Sequence, residues 1–161
     1  MVNGTVSKKE NPEIEKEYKG MSKRKSEAKW FGNLKDGGGT VSLGSGAYDG
    51  RYSFASRFED GDGTNPEELI AGAHAGCFSM ALSHILAEAG YEPKHVKTTA
   101  TVHLKPEGDG FAIPVIELDT EGDVPGIDSE TFQKHAEDAK ENCPVSKALA
   151  GVEIRLAAKL A

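Results

Sequence analysis

The chain has 161 residues and a formal net charge of −7, which is length for one domain with a real core and the wrong charge for nucleic acid, whose phosphates need Lys and Arg. Its hydrophobic share of 37% is low, so part of the chain is expected outside that core. The polar, charged N-terminus lacks the apolar run of a signal peptide, so a soluble cytoplasmic protein acting on a small or neutral substrate, without a membrane or nucleic-acid partner, is the expectation.

Residues 1–26 are rich in Lys and Glu, with little apolar spacing beyond Ile14 and Tyr18. They predict a flexible N-terminal extension ahead of one domain over 27–161. Ala28, Trp30 and Leu34 then alternate with polar neighbours, Asp36-Gly37-Gly38-Gly39 supplies a turn, and Val41 and Leu43 resume the alternation. This is a hairpin pattern. Arg51 to Arg57 reads as a third strand, with Tyr52 and Phe54 on one face and Ser53, Ala55 and Arg57 on the other.

Thr64-Asn65-Pro66-Glu67-Glu68 is the strongest helix start. Asn65 suits the N-cap, Pro66 the first helical position, and Glu68 completes a capping-box pattern. From Leu69 to Ala87 there is no Asp, Glu, Lys or Arg. The run has the length of a membrane span, but His74, Ser79, Ser83 and His84 among alanines and glycines leave it weakly apolar. It reads as a long central helix, buried on nearly all sides, that ends at Gly90.

Val96, Thr98, Ala100, Val102 and Leu104 then share one face of a strand. Phe111 to Asp119 is its hairpin partner, and Pro114 marks an edge or a bulge. Asp128 caps a second helix running to about Asn142, with Ile127 and Phe132 spaced as a hydrophobic staple. Pro144 starts a short third helix ending at Gly151, and Val152, Ile154 and Leu156 form a last strand. The order βββ-α-ββ-αα-β predicts an α+β fold with antiparallel sheets and no parallel βαβ unit.

Two cysteines in a reducing compartment are seldom a structural staple; they are buried small hydrophobes or a working thiol pair. Cys77 lies inside the long helix, where a cysteine among small and apolar neighbours is ordinarily packing material. Cys143 stands where one helix ends and the next begins, and N–H groups at a helix start favour thiolate. On this argument alone Cys143 is the more reactive thiol. Arg57 borders the Gly61-Asp62-Gly63 loop, where an exposed ion pair is the plain reading, and Glu67 and Glu68 are first-turn carboxylates favoured by the helix dipole.

His74 and Cys77 share a helical face, yet zinc needs four ligands and only Cys143 and a distant His are available to complete the set. Cys–His acyl transfer requires an oxyanion donor that the sequence does not supply. Gly37-Gly38-Gly39 lacks the Lys and Ser/Thr of a phosphate loop. His84, His95, His103 and His135 fall in amphipathic patterns and read as surface or packing residues.

Arg57-Phe58-Glu59, then Gly63-Thr64-Asn65-Pro66-Glu67-Glu68-Leu69-Ile70, then Ala73-His74-Ala75-Gly76-Cys77-Phe78-Ser79-Met80-Ala81-Leu82 form a string that resembles the OsmC (osmotically inducible protein C) branch of the OsmC and organic hydroperoxide resistance family. Val124-Pro125-Gly126-Ile127-Asp128, Cys143-Pro144-Val145-Ser146 and the early strand with Trp30 fit the same pattern. The resemblance runs from about Ala28 to the C-terminus and includes the motifs around both cysteines.

The resemblance implies a thiol peroxidase of stress defence that reduces organic hydroperoxides, and hydrogen peroxide less well. Cys77 is then the peroxidatic cysteine, oxidised to sulfenic acid, and Cys143 condenses with it to a disulfide. Arg57 holds Cys77 as thiolate and assists the peroxide oxygens, while Glu67 orients the arginine. The family also implies an intertwined homodimer with sites at the subunit interface, no metal or organic cofactor, and recycling by an external dithiol such as a lipoylated protein. A redox-inactive protein of the same fold, binding a small hydrophobic ligand, is the alternative. Ten residues separate Glu67 from Cys77, which on a straight helix is ~15 Å along the axis. They share a site only if the helix breaks or a second subunit supplies one of them.

Overall fold

A computed structural model describes residues 19–161, and most of the expected extension, residues 1–18, lies outside them. The first sheet is β1 (Ser26–Phe31), β2 (Gly38–Leu43) and β3 (Asp49–Ser53), paired antiparallel in chain order. Its first turn begins at Asn33, whose side-chain oxygen accepts from the Asp36 amide at 2.8 Å while its carbonyl accepts from the Gly37 amide at 3.0 Å. Leu34 sits in that turn and stays exposed.

The predicted third strand stops early. After Ser53 the chain enters a short helix, α1 (Phe54–Phe58), so Arg57 lies on a helix and not at a strand end. The cause is a reciprocal cap: Ser53 Oγ accepts from the Ser56 amide, and Ser56 Oγ accepts from the Ser53 amide. Serine in place of the usual Glu or Gln at the third helical position hides this box from a pattern reading.

The long helix, α2 (Pro66–Glu88), forms without a break. Asn65 Oδ1 accepts from the Glu68 amide at 2.8 Å, but the Glu68 carboxylate accepts from Thr64 Oγ1 and does not reach back to the cap. In a single chain α2 is not buried all round. Glu67, His74, Phe78, Leu82 and Leu86 form its buried stripe at helical spacing, whereas Gly72, Ala73, Gly76, Met80 and Ala87 are exposed. One sheet and two helices cover only one side of it, and β1–β3 contribute nothing to the buried core.

The second sheet is β4 (His95–Glu107), β5 (Gly110–Asp123) and β6 (Glu153–Leu160), in that spatial order. β4 and β5 form the expected hairpin. The register slips between His103 and Lys105, which leaves Ile113 and Pro114 opposite Leu104, the bulge that the proline called for. The all-antiparallel expectation fails at β6, which pairs parallel with β5. Two helices in succession, α3 (Ser129–Asn142) and α4 (Pro144–Ala148), carry the chain back for this crossover. A search for one helix between two strands overlooks such a connection.

The α+β class stands. The core joins Phe78, Leu82 and Leu86 of α2 to Ile116 and Leu118 of β5 and to Phe132, Ala136 and Ala139 of α3. Each large apolar side chain buried there contributes ~1.5–3 kcal/mol. Asp128 Oδ1 caps α3 through the Thr131 amide, and Ile127 packs against the cluster that holds Phe132. This core packs one side of α2 against sheet and helices and fixes where Cys77 stands relative to Cys143.

Candidate active site

Arg57 projects from the last turn of α1, and Glu67 from the first turn of α2. The two elements are tied by polar bonds: Ser56 Oγ donates to the Thr64 carbonyl at 2.7 Å, and Asn65 Nδ2 donates to the Ser56 carbonyl at 3.0 Å. Glu67 therefore meets the guanidinium edge-on. Arg57 Nε lies 3.2 Å from both carboxylate oxygens, and Nη2 lies 2.8 Å from Oε1. Such a fork fixes the plane as well as the position of the guanidinium.

The ring of Phe58 lies under Arg57, 5.1 Å from the guanidinium carbon. An open cavity of about 390 Å³ adjoins it, lined by Trp30, Leu34, Tyr52, Phe54, Arg57 and Phe58. Phe111, from the β4–β5 hairpin, stacks on Phe58 at 4.7 Å. One cation on an apolar wall suits a ligand that pairs a polar end with a hydrocarbon body.

The cysteines form a second centre. Cys77 Sγ and Cys143 Sγ are 3.0 Å apart and not joined, with Cys143 fully buried and Cys77 partly accessible. Only one S–H can lie between the sulfurs, and their surroundings decide where the negative charge settles. Burial pushes the Cys143 thiol up, but the Cys77 thiol, the amide and hydroxyl of Ser146 and the amide of Val145 outweigh it, leaving Cys143 below the ordinary thiol range. Cys77 is raised by burial and by Cys143, against one opposing bond from the Val145 amide. The two shifts run as the junction argument predicts, Cys143 down and Cys77 up, while the hydrogen bond between the sulfurs has Cys143 as its donor.

His74 closes this centre. Its ring is completely buried, and Nε2 lies 2.8 Å from Ser146 Oγ. Burial lowers its pKa, which favours the neutral imidazole. Among the described residues no three His, Cys, Asp or Glu side chains gather in metal-binding geometry. His103 pairs with Glu117 on the sheet surface, and His135 packs against Tyr91.

All four predicted site residues are ordered, as two pairs: Arg57 with Glu67, and Cys77 with Cys143. Because α2 runs unbroken between Glu67 and Cys77, the pairs stand ~15 Å apart along the helix axis. The sequence reading missed Ser56, whose hydroxyl ties the Arg57 turn to the start of α2, and Ser146, which meets His74. The Ser53/Ser56 and Cys143/Ser146 spacings, each three residues, were the available signals.

A long helix, covered on one side, that holds one thiol against another, with a capped turn before its first residue presenting an arginine over an aromatic wall, defines a dithiol protein of α+β architecture. The chain belongs to the OsmC-like family: the model of the OsmC-like protein family matches residues 59–157. It is 52% identical to peroxiredoxin OsmC of Escherichia coli (strain K12) over 127 residues, covering 78% of this chain and 89% of that one. An organic hydroperoxide resistance protein-like sequence of Staphylococcus aureus (strain USA300) is 34% identical over 93 residues, or 57% of this chain and 66% of that one. The crystal structure of the organic hydroperoxide resistance protein OhrB of Bacillus subtilis superposes with a TM-score of 0.66 at 30% identity, over 84% of this chain and 98% of that chain.

Proposed function

We propose that this chain is a cysteine-based peroxidase that reduces organic hydroperoxides to alcohols, with Cys77 as the attacking thiol and Cys143 as the resolving one. The observation that carries the reading is the pair of free cysteine sulfurs at 3.0 Å, one partly accessible and one buried. The names borne by its relatives, peroxiredoxin and organic hydroperoxide resistance protein, support the substrate class.

The chemistry balances on those two residues. Cys77 thiolate attacks one peroxide oxygen, the O–O bond breaks, and the departing alkoxide takes a proton to leave as alcohol, giving Cys77 sulfenic acid. Cys143 then attacks that sulfur, the S–O bond breaks, water leaves, and a disulfide forms. An external dithiol, such as a lipoylated protein, returns both residues to thiols by exchange. No metal or organic cofactor takes part.

Accessibility decides the order of the cysteines. Cys143 is fully buried and Cys77 partly accessible, which favours Cys77 as the thiol that meets peroxide first. What Cys77 lacks is a cation. Arg57 with Glu67, too far along α2 in its own chain, fills that need when a second copy presents it at Cys77, in a homodimer with its site at the interface. The exposed Gly72, Gly76 and Met80 side of α2 supports such an approach. Beyond ionising Cys77, the guanidinium is placed to stabilise charge on the departing oxygen, where one such donor is worth ~3–4 kcal/mol. The aromatic cavity beside Arg57 favours hydrocarbon-bearing peroxides over hydrogen peroxide.

The test is thiol titration of the reduced protein against cumene hydroperoxide and hydrogen peroxide, in the wild type, Cys77→Ser and Cys143→Ser. The reading expects loss of two thiols, faster with the organic peroxide, an inert Cys77→Ser, and a Cys143→Ser that stops at sulfenic acid. Reaction of Cys77→Ser through Cys143 reverses the order of the cysteines. No reaction in any of the three removes the peroxidase and leaves a redox-inactive binder of small hydrophobic ligands.

A further inference from the structure

The β4–β5 hairpin closes on a two-residue turn, Gly108-Asp109, between the paired Glu107 and Gly110. Gly108 takes φ +56° there, at the position where such a turn requires glycine. Phe111 follows directly, beyond the register slip that bends the hairpin. It is a large apolar side chain, 53% exposed and outside the buried core. Its ring lies instead 4.7 Å from that of Phe58 on α1, tilted by 38°. Phe58 lies 4.8 Å from Phe54 in turn. Three rings therefore stand in a row, and the two on α1 line the cavity beside Arg57, whereas Phe111 does not.

The row matters because α1 also lies outside the buried core. It is fastened by the bonds of Ser56 and Asn65 to the start of α2 and by the stack of Phe58 on Phe111. These fastenings do different things. The polar bonds and the Glu67 fork hold the Arg57 guanidinium with or without the stack. The Phe58 ring has no polar handle, so packing alone sets its place, and Phe111 supplies part of that packing from a distant element.

We propose that Phe111 is a positioning residue for substrate choice: stacked on Phe58 from the hairpin, it holds that ring as a wall of the cavity, and the wall selects hydroperoxides with an aryl or similarly bulky hydrocarbon body over small alkyl ones. The proposal rests on the peroxidase reading and narrows its substrate class. The guanidinium takes the oxygen end of the ligand, and the rings of Phe54 and Phe58 take an aryl body by offset or edge-on contact.

Cumene hydroperoxide and tert-butyl hydroperoxide share a tertiary peroxide carbon and differ by a phenyl for a methyl. The ratio of their kcat/KM values therefore reads the wall and cancels the chemistry of the O–O bond. Phe111→Ala is expected to lower that ratio by about 2- to 10-fold, the worth of one aromatic pair. The change should fall mainly on KM for the cumene compound, because a wall binds ground and transition states alike. Phe111→Tyr keeps the ring and should restore the ratio. In a Phe58→Leu background, with no ring left to hold, Phe111→Ala should lower it no further. A wild-type ratio in Phe111→Ala overturns the proposal. So does an undiminished effect in the Phe58→Leu background, which would put Phe111 in contact with the substrate itself.

Binding without turnover separates this proposal from the reading beneath it. Trp30, the only tryptophan of the chain, lines the same cavity, so its fluorescence can follow binding of 2-phenyl-2-propanol, the alcohol formed from cumene hydroperoxide. Its Kd should rise by the same factor in Phe111→Ala and return in Phe111→Tyr. That pattern in a protein that consumes no peroxide leaves the role of Phe111 standing and removes the peroxidase. Turnover of cumene hydroperoxide with equal Kd and equal ratio in wild type and Phe111→Ala removes the role of Phe111 and leaves the peroxidase.

Discussion

Replacing Glu67 with alanine separates what the Arg57–Glu67 pair does for folding from what it does for turnover. The carboxylate receives three guanidinium contacts between 2.8 and 3.2 Å, and its side chain is only 10% exposed. Cutting one partner from a fully buried pair costs ~3–5 kcal/mol, because the other charge is stranded. Arg57 escapes that fate: its side chain is 32% exposed and can turn toward water. The stability loss is then closer to that of one charged hydrogen bond, about 2 kcal/mol. For a chain of this length that is a fall in Tm of ~4–8 °C.

Turnover should suffer more. An arginine free to rotate no longer presents a fixed donor to the departing oxygen, and losing one such donor costs about 10²–10³ in rate. We expect kcat/KM for cumene hydroperoxide, measured per folded protein at a temperature where both proteins are native, to fall by that factor in Glu67→Ala. Glu67→Asp, one methylene shorter, should lie between. A Glu67→Ala protein with lowered Tm and wild-type kcat/KM would refute the orienting role and leave Glu67 as a structural brace.

Three further outcomes follow from the same geometry. Ser56→Ala strands the Ser53 amide and the Thr64 carbonyl, both satisfied by Ser56 Oγ, and should cost ~1–3 kcal/mol in denaturant unfolding; a neutral result would mean that water replaces the hydroxyl. Gly122→Ala places a Cβ 2.6 Å from the ring of Phe132, an overpacking expected to cost ~1–3 kcal/mol and visible as a lowered Tm. His74 has a folded pKa below its unfolded value through burial. Its stabilisation is complete above the unfolded pKa of about 6.5 and is lost as pH falls from there toward the folded value, by at most ~1.4 kcal/mol per unit. Denaturant midpoints between pH 7 and 5 should show this limb in the wild type and a flatter one in His74→Gln, and equal slopes would refute it.

Much of this fold was legible wherever one residue type forces one geometry. Pro114 demanded an irregular strand and received a bulge, and Asp128 with Ile127 and Phe132 set the start of α3 within a residue. The errors have physical causes. Tyr52 and Phe54 alternate like a strand, but two serine hydroxyls three residues apart outweigh the alternation and wind α1. The parallel pairing of β6 is decided by the paths of α3 and α4, which no local pattern in β6 encodes. At the site, a motif could point to Cys77 and Cys143, but only packing shows His74 and Ser146 behind them, since they lie seventy-two positions apart.

The long helix exposes the largest gap between reading and structure, and the same gap bears on the chemistry. A run without a single charge from Leu69 to Ala87 predicts burial on every side, yet one chain buries only the stripe through His74, Phe78, Leu82 and Leu86. The uncovered side carries Gly72 and Gly76, with nothing near the positions a Cβ would take, and Met80 at 76% exposure. Electrostatics are incomplete at the same place. Cys77 is held above its ordinary range by burial and by Cys143, while Arg57, braced by Glu67, stands ~15 Å along the axis. Covering the bare side of α2 with the α1–α2 corner of a second copy would remove both deficits in one step. Apolar surface would leave water, and a cation would reach Cys77 and favour its thiolate.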